Sequence, residues 1–168
     1  MSVAGPETAV EAPRARPPEE LLSSASFVLK RLAWAVKERT TDAFEPTGLT
    51  PYHYAVLALL DEEPRETQAT IADALGYDRS HLVGVLDELE ERSLIERRRD
   101  PNDRRRHLVS LTSDGKRNLQ RLRSIVKRVD DEFFAPLDAE QREALRVLLL
   151  PLVRHHDPRC AASPSPTS

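Results

Sequence analysis

The hydrophobic pattern of this 168-residue chain changes from a helical period to an alternating one near the middle and then changes back, and this limits the folds open to it. From residue 19 to residue 92, and again from residue 113, apolar residues mostly recur every three or four positions, which is the period of an amphipathic helix. In residues 94–99 and 107–112 apolar and polar side chains instead alternate, as they do in a strand. The tetrapeptide at 100–103, Asp-Pro-Asn-Asp, has turn chemistry. We therefore predict a mainly α-helical protein with one small β-hairpin.

Two helices joined by a tight turn precede this hairpin. Thr67 is the predicted N-cap of a short helix over 68–75, and Gly76 supplies the left-handed residue that ends it. Asp78 is the predicted cap of a second helix over 79–92, in which apolar residues recur with helical spacing. A helix-turn-helix followed by a β-hairpin is a winged helix-turn-helix, and we place this lobe at residues 49–112.

Longer helices flank the predicted lobe. A first helix over 19–41 carries a stripe of apolar residues, and the helix from 113 carries a heptad seam over 119–133 that suits a partner helix. Asp138 opens a last helix, which Pro151 should kink or shorten. We predict that 19–41 and 113–156 form a helical dimerisation region. The proline-rich ends, 1–18 and 157–168, are predicted to be a disordered arm and a disordered tail.

Positive charge is concentrated in the hairpin. Residues 97–106 contain six arginines and two aspartates, a net charge of +4, whereas the whole chain carries −3 and the remainder therefore −7. A basic cluster on an acidic body indicates a site for a polyanion. A solvated arginine-rich loop would have the same composition, so charge alone leaves both interpretations open.

Several classes of protein are disfavoured by the sequence. The single cysteine, Cys160, precludes an intrachain disulfide and is typical of a reducing cytosol, so we expect a cytoplasmic protein. The longest apolar run, 147–153, is too short to cross a membrane. The motif His155-His156-Asp157 lies at a helix end, where cationic side chains are common, so we expect no metal site. Without a phosphate loop, paired catalytic carboxylates or a nucleophile motif, we expect neither an enzyme nor a cofactor.

Two segments resemble the MarR family of bacterial transcription regulators. Residues 78–83, Asp-Arg-Ser-His-Leu-Val, are similar to the start of its recognition helix, and 100–115, Asp-Pro-Asn-Asp-Arg-Arg-Arg-His-Leu-Val-Ser-Leu-Thr-Ser-Asp-Gly, to its wing. The resemblance extends over about residues 20–155. It implies a homodimer that binds double-stranded DNA sequence-specifically and that a small molecule or oxidant releases from DNA. Both a repressor and an activator fit this description, and we favour a repressor. The chain has Gly84 where many relatives have arginine, and Ser93 where glycine is usual.

The resemblance implies which residues contact DNA. A recognition helix places its first residues against base edges in the major groove. Arg79, Ser80 and His81 are therefore expected to contact bases or phosphates, beside Val83, while Gly84 lets the backbone approach closely.

In the wing, Arg105 matches the family motif and is expected to enter the minor groove, oriented by Asp103. Arg104 or Arg106 would then neutralise phosphates. The alternative is that Asp103 and Arg105 form only a structural ion pair.

Three polar residues at the start of the first helix of the pair have two interpretations, phosphate contact or capping: Thr67, Gln68 and Thr70.

In the family, effectors bind between the dimerisation helices and the winged lobe. Trp34 and Tyr52 are candidates to line such a pocket for a small aromatic effector, although aromatic residues on helices are more often plain core. His53 either lines the same cavity or is a surface cap residue, which we favour. A second function also remains open, in which the wing docks an acidic protein partner and the lobe has no sequence-specific affinity for DNA.

Overall fold

The structure, a computed structural model, describes residues 16–63, 66–101, 103 and 106–161. The α-helices are α1 Glu19–Leu22, α2 Ala25–Phe44, α3 Pro51–Glu62, α4 Gln68–Leu75, α5 Arg79–Glu91, α6 Ser113–Phe133 and α7 Ala139–His156. The strands are β1 Glu66–Thr67, β2 Ile95–Arg99 and β3 His107–Leu111, and short 3-10 helices cover Glu45–Thr47 and Pro158–Cys160. The chain divides after Val36 into two units. None of the helices in these described ranges has the length and apolar character that a membrane crossing requires.

The prediction of one helix over 19–41 is wrong, because the chain forms two helices there, α1 and α2. Two serines cause the break. The hydroxyl of Ser23 donates to the carbonyl of Glu19 at 3.0 Å, and that of Ser24 accepts from the backbone N–H of Phe27 at 3.5 Å. Such local bonds compete with the helical ladder. Most of the predicted apolar stripe of this unit is exposed, including Leu29 and Leu32.

The second unit contains the winged helix-turn-helix that the sequence predicts. β2 and β3 form the antiparallel hairpin, with Arg97 opposite Val109. β1 pairs with the other edge of β3, which gives the strand order β1-β3-β2. The sequence did not indicate β1, because a strand of two residues is too short to show an alternating period.

Local capping fixes the helix boundaries where the sequence placed them. Thr50, Thr67, Asp78 and Asp138 each cap the following helix through the side chain. Gly76 ends α4 in the left-handed region, with φ of +66°. Ser93, which replaces the usual glycine, also has a positive φ, +57°. The turn thus keeps the conformation of a glycine and stores some backbone strain in a serine.

The core of the lobe is built from the inward faces of α3, α4, α5 and α6 and from the sheet. Its largest fully buried residues include Leu57, Ile71, Leu86 and Leu119. The seam on α6 is buried within its own chain at Leu119, Leu122 and Val129, and α6 packs on α3. Within the chain, α3 is thus one partner of this seam, since Val56, Leu57 and Leu60 of α3 are buried in the same core as Leu119 and Leu122.

The C-terminal part was predicted to contain a helix that Pro151 kinks or shortens, followed by a disordered tail. Pro151 does not shorten α7, which continues to His156. A proline at this position leaves the carbonyl of Val147 without its helical donor, and Val147 is 54% exposed, so water can take the donor's place. Within the segment predicted to be a disordered tail, Pro158–Cys160 form a 3-10 helix. Asp157 caps it by accepting from the backbone N–H of Arg159 at 3.1 Å.

Candidate nucleic-acid interface

The start of α5 is organised by Asp78. Its Oδ1 accepts from the backbone N–H groups of Ser80 at 2.9 Å and His81 at 3.3 Å, and also from the hydroxyl of Ser80. The hydrogen bond from the Ser80 hydroxyl, followed by those from the backbone, lowers the pKa of Asp78. Its carboxylate is consequently charged and satisfies the first N–H groups of the helix. The Ser80 hydroxyl donates inward, which leaves its oxygen to accept from a base or a water.

The predicted contact residues of α5 are all on the surface. Arg79, Ser80, His81, Val83 and Gly84 are exposed. A Cβ added to Gly84 would meet no atom within 4 Å, so packing within the chain does not require a glycine there. An approaching backbone or base would have open space at this position. The assignment of these five residues to DNA remains a prediction.

His81 is held by two tyrosines. Its ring centroid lies 4.7 Å from that of Tyr52 and 6.1 Å from that of Tyr77, both in edge-to-face geometry, and the two tyrosines are 5.2 Å apart. Such pairs are favourable beyond the area that they bury. Burial raises the pKa of Tyr77, so its phenol stays protonated. Tyr77 was not among the predicted site residues, because its only local signal is its place as an aromatic residue in the turn of the helix-turn-helix.

The wing is tied to α5 through Arg97. This arginine of β2 is only 20% exposed, and its guanidinium pairs with Asp87 and, at 3.0 Å, with Glu90. Asp87 and Glu90 are three residues apart and so share one face of α5, which is the sequence signal that could have revealed the pair. Arg97 therefore belongs to the internal framework, and its charge is not available to a polyanion.

The rest of the basic cluster is divided. Arg98 is 76% exposed and pairs with Glu96 of its own strand at 2.8 Å. Asp103 and Arg106 are exposed at the wing tip, where the backbone N–H of Arg106 donates to the carbonyl of Asp103 at 2.9 Å. Arg104 and Arg105 lie outside the described residues, so the minor-groove contact of Arg105 remains a prediction.

The start of α4 favours capping over phosphate contact. Thr67 is buried, and its hydroxyl accepts from the backbone N–H of Thr70 at 3.2 Å. The hydroxyl of Thr70 accepts in return from the N–H of Thr67 at 2.9 Å and also bonds the carboxylate of Glu66. This is a capping box, and it engages both hydroxyls. Gln68 is half-buried beside them.

A cavity of about 780 Å³ lies between the end of α2 and the start of α3. Tyr52 lines it, as the sequence suggested for an effector pocket. The other lining residues are Lys37, Thr41, Asp42, Glu45, Gly48, Leu49, Thr50 and Pro51. Trp34, the other aromatic candidate, belongs to the first unit and is 66% exposed. The cavity thus combines apolar walls with one cation and two carboxylates, and its volume suits a small organic molecule.

The preferred interpretation of His53 as a surface residue is wrong, because its side chain is only 2% exposed. The backbone N–H of Thr50 donates to Nδ1 at 2.9 Å, so the neutral ring carries its proton on Nε2. Nε2 lies 3.2 Å from Oε2 of Glu88 on α5. Burial lowers the pKa of His53, against the opposing influence of Glu88. His53 does cap α3, but it does so from inside the lobe, because α5 covers its ring.

Comparison with known proteins gives this architecture a family. The sequence profile of the MarR family matches residues 49–107. A protein of Thauera aromatica, described as a proposed transcriptional regulatory protein for the hcr operon, is 38% identical over 107 residues, which are 64% of this chain and 64% of that protein. The chain thus spans somewhat less than two thirds of that relative.

Two solved structures cover more of the chain. The transcriptional repressor CouR bound to a 23-mer DNA duplex is 36% identical, with a TM-score of 0.76 over 84% of this chain and 100% of that one. CouR from Rhodococcus jostii RHA1 bound to p-coumaroyl-CoA is 32% identical, with a TM-score of 0.69 over 82% of this chain and 95% of that one. The chain therefore belongs to the MarR family of transcriptional regulators, whose members are not enzymes.

Proposed function

We propose that the protein is a homodimeric repressor that binds a specific double-stranded DNA site and leaves it when a small aromatic effector occupies the cavity beside α3. The observation that carries the proposal is the exposed start of α5, where Arg79, Ser80 and His81 lie at the N-terminal end of a helix joined rigidly to the wing. The positive end of the helix dipole adds attraction for phosphate. DNA binding by CouR, a repressor of the same fold, supports this use of the lobe.

Exposed apolar side chains support the homodimer. On α7, Val147, Leu148 and Leu152 are 54%, 70% and 51% exposed. A groove of about 400 Å³ runs beside them, with Phe134, Leu145 and Leu149 among its lining residues. Apolar surface of this extent is typical of a subunit interface. A dimer presents two α5 helices to two half-sites, which accounts for specificity from a small lobe.

The effector is proposed from the cavity and from one relative. The cavity has the size of a ligand site, and Tyr52 offers an aromatic ring in its wall. CouR binds p-coumaroyl-CoA, an aromatic thioester, which supports an aromatic compound here. Release from DNA then follows if the effector binds better to a conformation that binds DNA poorly.

The experiment is selection of binding sites from random duplexes, followed by titration of the best site with the wild type and with Arg105→Ala at fixed salt. We expect the variant to lose about 1–3 kcal/mol of binding free energy. Arg98→Ala is the matched control, since Arg98 already pairs with Glu96. Equal affinity of Arg105→Ala and wild type would remove the wing from the mechanism. A wild-type protein that ignores every duplex at low salt, or that remains a monomer in sedimentation, would refute the proposed function.

A further inference from the structure

Tyr52 belongs to two sites at once. It is a wall of the cavity, and 43% of its surface is exposed there and at the lobe surface. The same ring meets the ring of His81, at the start of α5, with 4.7 Å between centroids. A single side chain therefore separates the contents of the cavity from a residue that is expected to contact DNA.

The next residue provides a second link between the same two helices. His53 approaches Glu88 of α5 with 3.2 Å between Nε2 and Oε2, and its Nδ1 accepts from the N–H of Thr50. Glu88 lies seven residues after His81, about two helical turns along α5. The first turn of α3 is thus attached to α5 near its start and again near its end. We expect a displacement of this turn to reach α5 at both contacts, at His81 and at Glu88.

That first turn is also part of the cavity wall. Thr50 and Pro51 line the cavity together with Tyr52. Pro51 has a fixed φ and the capping box fixes Thr50, so the turn is stiff. In the part of the wall formed by Thr50, Pro51 and Tyr52, the Tyr52 side chain is the mobile one. A ligand that presses on this part of the wall therefore moves Tyr52 before it moves α3.

We propose that Tyr52 is the positioning residue through which the cavity controls DNA binding: an occupant displaces the Tyr52 ring, and the ring releases His81 from the orientation that contacts DNA. The proposal rests on the proposed function and names the link between its two sites. Because coupling of two binding equilibria is reciprocal, DNA must weaken binding in the cavity by the same factor.

The test places a covalent occupant in the cavity, so it needs no knowledge of the natural effector. Thr41 lines the cavity and is exposed, so Thr41→Cys is labelled with N-phenylmaleimide in a Cys160→Ser background. Glu38→Cys, on the exposed surface of the same helix and outside the cavity lining, carries the label as the matched control. Affinity for the selected duplex is measured by fluorescence anisotropy before and after labelling.

We expect labelling at position 41 to weaken DNA binding about tenfold, which lies within the usual range of allosteric coupling, and labelling at position 38 to leave it unchanged. In Tyr52→Ala the label at 41 should change the affinity less than twofold, whereas Tyr52→Phe, which keeps the ring, should restore the full effect. An equal loss in Tyr52→Ala and wild type, or no loss in the wild type, would overturn the proposal. An unlabelled protein that binds no duplex contradicts the proposed function instead, so the two failures are distinguishable.

A second measurement covers the case in which Tyr52→Ala does not fold. The imidazole signals of the DNA-free protein are recorded by NMR after histidine-specific ¹³C labelling, and His81→Gln assigns the signal of His81. The nearby Tyr52 ring shifts this signal. The maleimide label at position 41, which lies in the cavity, should therefore move the signal, and the label at position 38 should not. A His81 signal that ignores the occupied cavity would overturn the coupling.

Discussion

Arg106 and Arg98 offer a matched pair for counting the phosphates that the wing neutralises. Both are exposed arginines of one hairpin, but Arg98 pairs with Glu96 at 2.8 Å. We expect Arg106→Gln to remove one phosphate contact from each half of a dimer. The slope of log K against log salt changes by about 0.9 for each phosphate, so the variant should lose about 1.8 from the slope. Arg98→Gln should reduce the slope much less, since the carboxylate of Glu96 already neutralises the charge of Arg98.

The difference is large enough to measure. Between 50 and 200 mM salt a slope change of 1.8 corresponds to about a 12-fold difference, so the affinity of the wild type should fall about 12-fold more than that of Arg106→Gln. Fluorescence anisotropy with the selected duplex, at four or more salt concentrations, gives both slopes. Equal slopes for Arg106→Gln and wild type would refute the assignment of Arg106 to phosphate. An equal loss for Arg98→Gln would refute the idea that internal pairing withdraws an arginine from DNA.

Three further predictions concern stability. Gly115→Ala should lower the free energy of unfolding, measured by urea titration, by about 1–3 kcal/mol, because the new Cβ would lie 2.0 Å from the carbonyl oxygen of Leu94. The control Gly84→Ala, which places its Cβ in open space, should be neutral or stabilising. Similar losses of stability in both variants would contradict this reasoning. Thr67→Ala should lower the free energy of unfolding by about 1 kcal/mol through loss of the helix cap. The slope of log K for DNA binding against log salt should stay unchanged. A reduced slope would support a phosphate contact by Thr67 instead. Burial lowers the pKa of His53 below its ordinary 6.5, so the unfolded chain takes up a proton first and the stability of the fold should fall as pH drops below about 6.5. Between pH 7 and pH 5 the Tm of His53→Asn should therefore fall less than that of the wild type. Parallel Tm curves for the two proteins would argue against this role of His53.

Much of the candidate site could be predicted from sequence because it depends on local rules. Asp78 at an N-cap and Gly76 at a C-terminal position each follow from the backbone geometry of a few neighbouring residues. The hairpin was evident because five-residue strands are long enough to alternate. Whether Thr67 caps a helix or binds phosphate could be decided only from the three-dimensional structure, because both roles need the same hydroxyl at the same place in the chain.

Contacts between distant segments could not be predicted. The side chain of Arg97 pairs with Asp87 and Glu90, so this member of the basic cluster at 97–106 links the wing to α5. His53 is buried because α5 passes over the first turn of α3, and no local pattern records that packing. The meeting of Tyr52, Tyr77 and His81 depends on the same approach of two helices.

The sequence by itself determined the helix-turn-helix and its caps, the hairpin that follows it, and the family, but not the break between α1 and α2 or the short strand β1. Those features depend on periodicity and on hydrogen bonds within a few residues, which the order of amino acids specifies directly. Only the tertiary structure decided that Arg97 is not available to a polyanion, that His53 is buried, and that Tyr52 lines a cavity and also contacts the start of α5. These depend on the distance between segments far apart in the chain, and that distance is set by the packing of the whole core.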